Sequence, residues 1–263
     1  IRRTSSASFI VLCSAISGMT SRGQNLFRAN LAPSHAGPWR EPGQAVDENW
    51  LQTKHLHPNA IRLHGIKGID KVHLICNDIA TTDYFWTIDG DNYLIDSLNY
   101  DYGQVDTDLI MFKALDALDK LPTALGGLKL WRKNKIVIKD MSAGDFSLNA
   151  TKNKKVTDTV LSESRYNSSP FDAWKTSFRH CVKLSSIIFR NRPNAKNLDS
   201  YLMRWRNTCN LNEPNSAYAY KGYLDALEYA GKFDNNWTEL LKINDYVTNN
   251  TMGHINSDRM IEM

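Results

Sequence analysis

The run Tyr84-Phe85-Trp86-Thr87-Ile88, followed at once by Asp89-Gly90-Asp91-Asn92, constrains this chain more than any other segment. Aromatic and β-branched residues suit a pleated, packed surface, so the first five predict a strand. Asp-Gly-Asp ends it: the glycine permits a tight turn and two carboxylates leave the strand's end. Open α/β sheets bind ligands at the carboxyl ends of their strands. Hard carboxylate oxygens placed there suit magnesium or manganese held against a diphosphate. The competing reading is a solvated turn capped by aspartates. Asp106-Thr107-Asp108 shows how readily the same spacing arises.

A chain of 263 residues with 42% hydrophobic and 23% charged residues is long enough for one α/β domain with an appendage. Its net charge of +4 permits contact with a polyanion without demanding it. Cys13, Cys76, Cys181 and Cys209 show no metal-type spacing. Cys13 and Cys76 sit in apolar runs, read as buried free thiols and point to a reducing, cytoplasmic setting. The apolar run 9–16 is too short to cross a bilayer and predicts a first core strand, so no membrane association is expected.

In order, the pattern predicts a strand at 9–13, a long loop over 17–43 and a helix over 47–56. A strand at 60–63, a glycine-punctuated loop at 64–68 and a helix over 69–80 lead to the central strand. Beyond it, Met111, Leu115 and Leu118 at helical spacing predict a helix over 109–121, with strands at 128–131 and 136–138. Residues 140–168 are polar without a clear period and read as a loop. Helices are expected at 170–190, 198–208, 217–230 and 235–247. On the first of these, Lys175, Arg179 and Lys183 recur every four residues and share one face. Such a face is either merely solvated or a track for phosphates.

The series 59–68 (Asn-Ala-Ile-Arg-Leu-His-Gly-Ile-Lys-Gly), then His73, then 82–91 through Asp-Gly-Asp, resembles the donor-binding half of GT-A glycosyltransferases. In particular it is similar to tailed-phage enzymes that decorate hydroxymethylcytosine in DNA with glucose or arabinose. Further similarity lies in Glu41-Pro42 with 47–50, in 126–130, in Asp140-Met141-Ser142, and in 173–184. The chain departs from that family at His180, where the family carries a glutamate.

The resemblance implies a three-layer α/β/α, Rossmann-like mixed sheet over residues 1–190, with a helical region over 191–263 packed on it. It implies a UDP-sugar donor and a manganese or magnesium ion on Asp89 and Asp91, with His254 as a third ligand. Arg62, His64, Lys67, Gly68, His73 and Asp89 would hold the donor. Lys129, Trp174, Arg179 and Lys183 would meet a DNA acceptor, whose modified base has to leave the stack to be reached. An inverting reaction needs a carboxylate base, Asp140 first and Asp172 second; a retaining one does not. Competing functions are transfer to a glycan or protein, a nucleotidyltransferase, and a DNA-binding module without catalysis.

Overall fold

The structure, a computed structural model, describes residues 10–16, 44–67, 69–98, 106–123, 127–137, 146–186, 190–191 and 197–232. In chain order the elements are β1 (Ile10–Ile16), α1 (Gln44–Leu56), β2 (Ile61–Lys67), α2 (Ile69–Ile79), β3 (Tyr84–Asp89) and β4 (Asn92–Leu94). Then come β5 (Leu109–Asp116), β6 (Pro122–Thr123), β7 (Lys129–Arg132), the single turn α3 (Phe146–Asn149) and β8 (Lys154–Ser164). Three helices close the described chain: α4 (Pro170–Ser185), α5 (Leu198–Asn207) and α6 (Ser216–Lys232).

The eight strands form one sheet in the order β2-β1-β3-β7-β5-β8-β4, with β6 on β5. β1 runs parallel to β2 and β3, whereas β7 is antiparallel to both β3 and β5. β8 is parallel to β5 and antiparallel to β4. β3 and β4 thus sit at opposite ends of a five-strand run, although only Gly90 and Asp91 separate them in the chain.

Geometry forbids a flat sheet here. Four inter-strand spacings amount to about 19 Å, while the three residue steps from Asp89 to Asn92 reach at most about 11 Å. The run β3-β7-β5-β8-β4 therefore curls until its ends meet, a nearly closed barrel-like sheet with the C-terminal helices beside it. Register shifts in the β5–β8 pairing between Phe112 and Ala114 supply local bends. The expected flat, Rossmann-like three-layer GT-A arrangement is thereby overturned.

Alternation along the strands sends side chains to two cores. Trp86 and Ile88 of β3, Ile110 and Phe112 of β5 and Leu130 of β7 pack together with Trp50 and Leu56 of α1. Phe85, Leu109 and Trp131 point the other way, onto Val72 and Cys76 of α2 and Phe146 of α3. Each fully buried side chain of this size is worth about 1.5–3 kcal/mol. A third core joins α4, α5 and α6 through Phe178, Val182, Trp205, Ala219 and Tyr229, and reaches Ala117 and Leu118 just beyond β5.

Several local expectations change. Residues 109–116 are a strand, not a helix: burial alternates along the second half of β5, and its apolar residues serve both cores. Residues 154–164, read as loop, form an 11-residue strand, the longest among the described residues. Its polar β-branched sequence faces solvent over the first half and is held by β5 and β4. The segment 64–67 continues β2 instead of opening a loop. Residues 136–137 are not a strand. The helix expected over 235–247 lies outside the described residues. No described helix is long and apolar enough to cross a membrane.

Candidate functional site

Asp89 is the last residue of β3 and Asp91 lies in the two-residue link to β4. Five hydrogen bonds fix this link. Asn49 of α1, fully buried, donates its Nδ2–H to the Gly90 carbonyl at 2.9 Å. The Asp89 N–H donates to the Gly127 carbonyl at 3.1 Å, and the Arg165 N–H donates to the Asp91 carbonyl at 2.6 Å. Asn92 donates to Asp91 Oδ1 at 2.8 Å and accepts at Oδ1 from the buried Ser162 hydroxyl at 3.2 Å. Gly127 must be glycine, because a Cβ there would lie 2.5 Å from both Asp89 Cβ and Asn92 Nδ2.

One lysine meets Asp89 and a second acts on Asp91 through its charge. Lys129 of β7 is 5% exposed, and its Nζ lies 3.3 Å from Asp89 Oδ2 and 3.5 Å from the Gly127 carbonyl. Lys175 of α4 donates to Asp172 Oδ1 at 2.8 Å and acts electrostatically on Asp91. Desolvation, and after it the Asp89 charge, push the Asp91 carboxyl up; the Asn92 hydrogen bond, Lys175 and Lys129 oppose them.

The second acid expected as a base, Asp172, is nearly buried at the start of α4. Ser169 is the N-cap of that helix, accepting from the Asp172 N–H at 3.1 Å and donating its hydroxyl to Asp172 Oδ2 at 2.7 Å. This is a serine N-cap, with Pro170 at the first helical position. Its carboxylate is thus shared between the cap and Lys175.

The other expected residues scatter. Trp174 is buried: its indole donates to Asp225 Oδ2 at 2.7 Å and its ring stacks on Phe178 at 5.1 Å. That placement leaves no ring face for a base. Fully buried His73 gives Nδ1 to the Ile69 carbonyl contact at 2.8 Å and packs on Phe146 and Trp131. Arg62 pairs with Asp47 at 2.9 Å. Arg179 and Lys183 are half-buried farther along α4. The side chains of His64 and Lys67, and all of Gly68, Asp140 and His254, lie outside the described residues. Lys129, expected at the acceptor, is brought to Asp89 instead. The spacing control behaves differently: the Asp106 side chain is 100% exposed, 3.8 Å from Arg132.

A divalent cation fits the chemistry of the turn, which offers hard carboxylate oxygens and, at Asp91, a carboxyl pushed up by burial and by the Asp89 charge, both of which a cation would offset. Asp89 and Asp91 would hold it; among the described residues no group of three or more His, Cys, Asp or Glu side chains converges there. Both Asn49 and Asn92 lay in segments singled out in the sequence, but their role as braces of the turn was missed, since it depends on contacts between α1, β4 and β8.

A separate polar cavity lies against α5, lined by Asp116, Asp119, Tyr166, His180, Arg204 and Trp205. Tyr166 donates its hydroxyl to Asp116 Oδ1 at 2.8 Å and the Trp205 indole donates to His180 Nδ1 at 2.8 Å. Burial raises both the Asp116 carboxyl and, strongly, the Tyr166 phenol. No family model matches the chain, and no curated protein matches it.

Proposed function

We propose that this protein transfers a sugar, arabinose or glucose, from a UDP-sugar to hydroxymethylcytosine in DNA, with manganese or magnesium on Asp89 and Asp91. The observation that carries the reading is the braced turn itself. Two carboxylates at the end of a buried strand are held by Asn49, Gly127 and Asn92; Lys129 contacts Asp89, and Lys175, paired with Asp172, acts electrostatically on Asp91. When bound, the cation supplies Lewis-acid neutralisation of the leaving diphosphate. The protein's own part is to fix Asp89 and Asp91, with the Lys129 ammonium on Asp89 and the Lys175 charge acting on Asp91. An inverting reaction would draw its base from Asp140, with Asp172 committed to the cap and to Lys175.

A second acceptor class is favoured by one observation. Lys175 turns toward Asp172 and Trp174 is buried, so the α4 face offers less to DNA than its sequence suggests. A glycan or protein acceptor is the alternative.

The test incubates the protein with manganese, a panel of UDP-sugars and DNA with or without hydroxymethylcytosine, then weighs the digested nucleosides. A pentose or hexose gain on the modified base, abolished by Asp91→Ala, supports the reading. Metal-dependent donor hydrolysis without DNA product transfers it to the other acceptor class. Absence of hydrolysis with every donor rejects catalysis and leaves a binding module.

A further inference from the structure

The ammonium of Lys129 is buried, and the contacts it makes among the described residues are Asp89 Oδ2 and the Gly127 carbonyl. A buried charge stripped of its partner is strongly unfavourable. A divalent cation that takes Asp89 does more than strip it: it sets a like charge beside the ammonium. Lys129 then requires a new anion.

The local charge count points to which anion. Asp89, Asp91 and Asp172 face Lys129 and Lys175, three negative charges against two positive, or −1. A dication alone takes the site to +1. The two negative charges of a nucleotide-sugar diphosphate return it to −1, the starting value.

We propose that Lys129 is an exchangeable counter-ion: it occupies Asp89 in the free protein and passes to a phosphate oxygen when a divalent cation takes Asp89. Cation and diphosphate therefore bind as a pair, each weakly without the other. Lys129 is in this sense a positioning residue that couples two ligands, and the inference rests on the nucleotide-sugar reading of Asp89 and Asp91.

The experiment follows free Mn2+ by electron paramagnetic resonance during titration of the full chain, with and without UDP, in wild type, Lys129→Met and Asp89→Asn. Expected is Mn2+ binding without UDP at least tenfold tighter in Lys129→Met than in wild type. The gain from UDP, beyond chelation in solution, should shrink by a similar factor, and Asp89→Asn should bind weakly throughout. Equal or weaker Mn2+ binding by Lys129→Met overturns the inference while leaving the transferase reading in place. A wild type that takes up neither Mn2+ nor UDP overturns both. Should the Met variant not fold, 15N-lysine spectra of the wild type decide, the Lys129 ammonium signal being assigned by its loss in Lys129→Arg. That signal should move with Mg2+ and UDP together; an unmoved signal overturns the exchange.

Discussion

Arg204 of α5 grips Asp119, in the turn after β5, with two parallel hydrogen bonds of 2.6 Å, Nε to Oδ2 and Nη2 to Oδ1. The same guanidinium donates to the Leu121 and Pro122 carbonyls and lies 3.9 Å from Asp116 Oδ2. The fork fastens the C-terminal helices to the β5–β6 corner. Charge-assisted, bidentate and mostly shielded, it should be worth about 2 kcal/mol. Arg204→Ala is expected to lower unfolding free energy by that amount in urea titrations, and Arg204→Lys to restore less than half, since an ammonium cannot reproduce the fork.

The pH response of the turn has a definite sign. An aspartate whose folded-state pKa is raised binds its proton more tightly folded than unfolded, so its ionisation costs stability. For Asp91 that cost is absent below the ordinary value of 3.8 and grows as pH rises through the raised value. In metal-free buffer Asp91→Asn should therefore have a higher Tm than wild type at pH 7. The difference should close as pH falls toward 4, as read by thermal denaturation across that window.

Gly127→Ala tests the brace without touching a charge. The added Cβ would meet Asp89 Cβ at 2.5 Å and Asp89 Cγ at 2.9 Å, so the carboxylate must move. Misplacement on the scale of an ångström costs roughly a hundredfold in rate. If the sugar-transfer proposal holds, donor hydrolysis should fall by about that factor while the circular dichroism spectrum is kept.

Two glycines of α6 give a paired control. A Cβ at Gly222 would sit 2.4 Å from the Trp174 carbonyl and 3.1 Å from the Phe178 nitrogen, backbone atoms of α4 that have no rotamer to yield. Gly222→Ala should cost about 2 kcal/mol through overpacking. Gly231 has no such neighbour within 4 Å. Gly231→Ala should gain about 0.5 kcal/mol from helix propensity and a less flexible unfolded chain. Urea midpoints of the two variants should move in opposite directions.

Trp174→Phe separates packing from recognition. It deletes the bond to Asp225 but keeps a ring against Phe178. Stability should fall by about 1–2 kcal/mol, with the KM for any acceptor unchanged.

The central strand and its acidic turn were legible because the signal is local: aromatic and β-branched residues, then glycine between carboxylates. The start of α4 was legible from the amphipathic period that begins at Pro170, and the structure adds the Ser169 cap that the sequence reading passed over. β5 and β8 were not. Leu109 to Leu118 carries enough apolar residues to satisfy either period, and burial on two faces of a curled sheet decided for the strand. β8 has little apolar content of its own and exists through its partners on either side. Lys175 read as part of a phosphate track from its spacing, and Lys129 as an acceptor group from the resemblance; neither signal shows which carboxylate faces a lysine. The curl itself follows from a strand order that no local pattern encodes.

The link of Gly90 and Asp91 is at once the clasp of the curled sheet and the place where the two carboxylates stand. Asn92 to Leu94 finds its partners at Ser162 to Ser164, some seventy residues downstream, so this pairing carries a large loop-closure entropy and belongs to the slow, non-local steps of folding. A chain that has not made it has no fixed position for Asp91. Assembly of the acidic site and completion of the fold are therefore one event, and partly folded intermediates are barred from binding whatever the site holds.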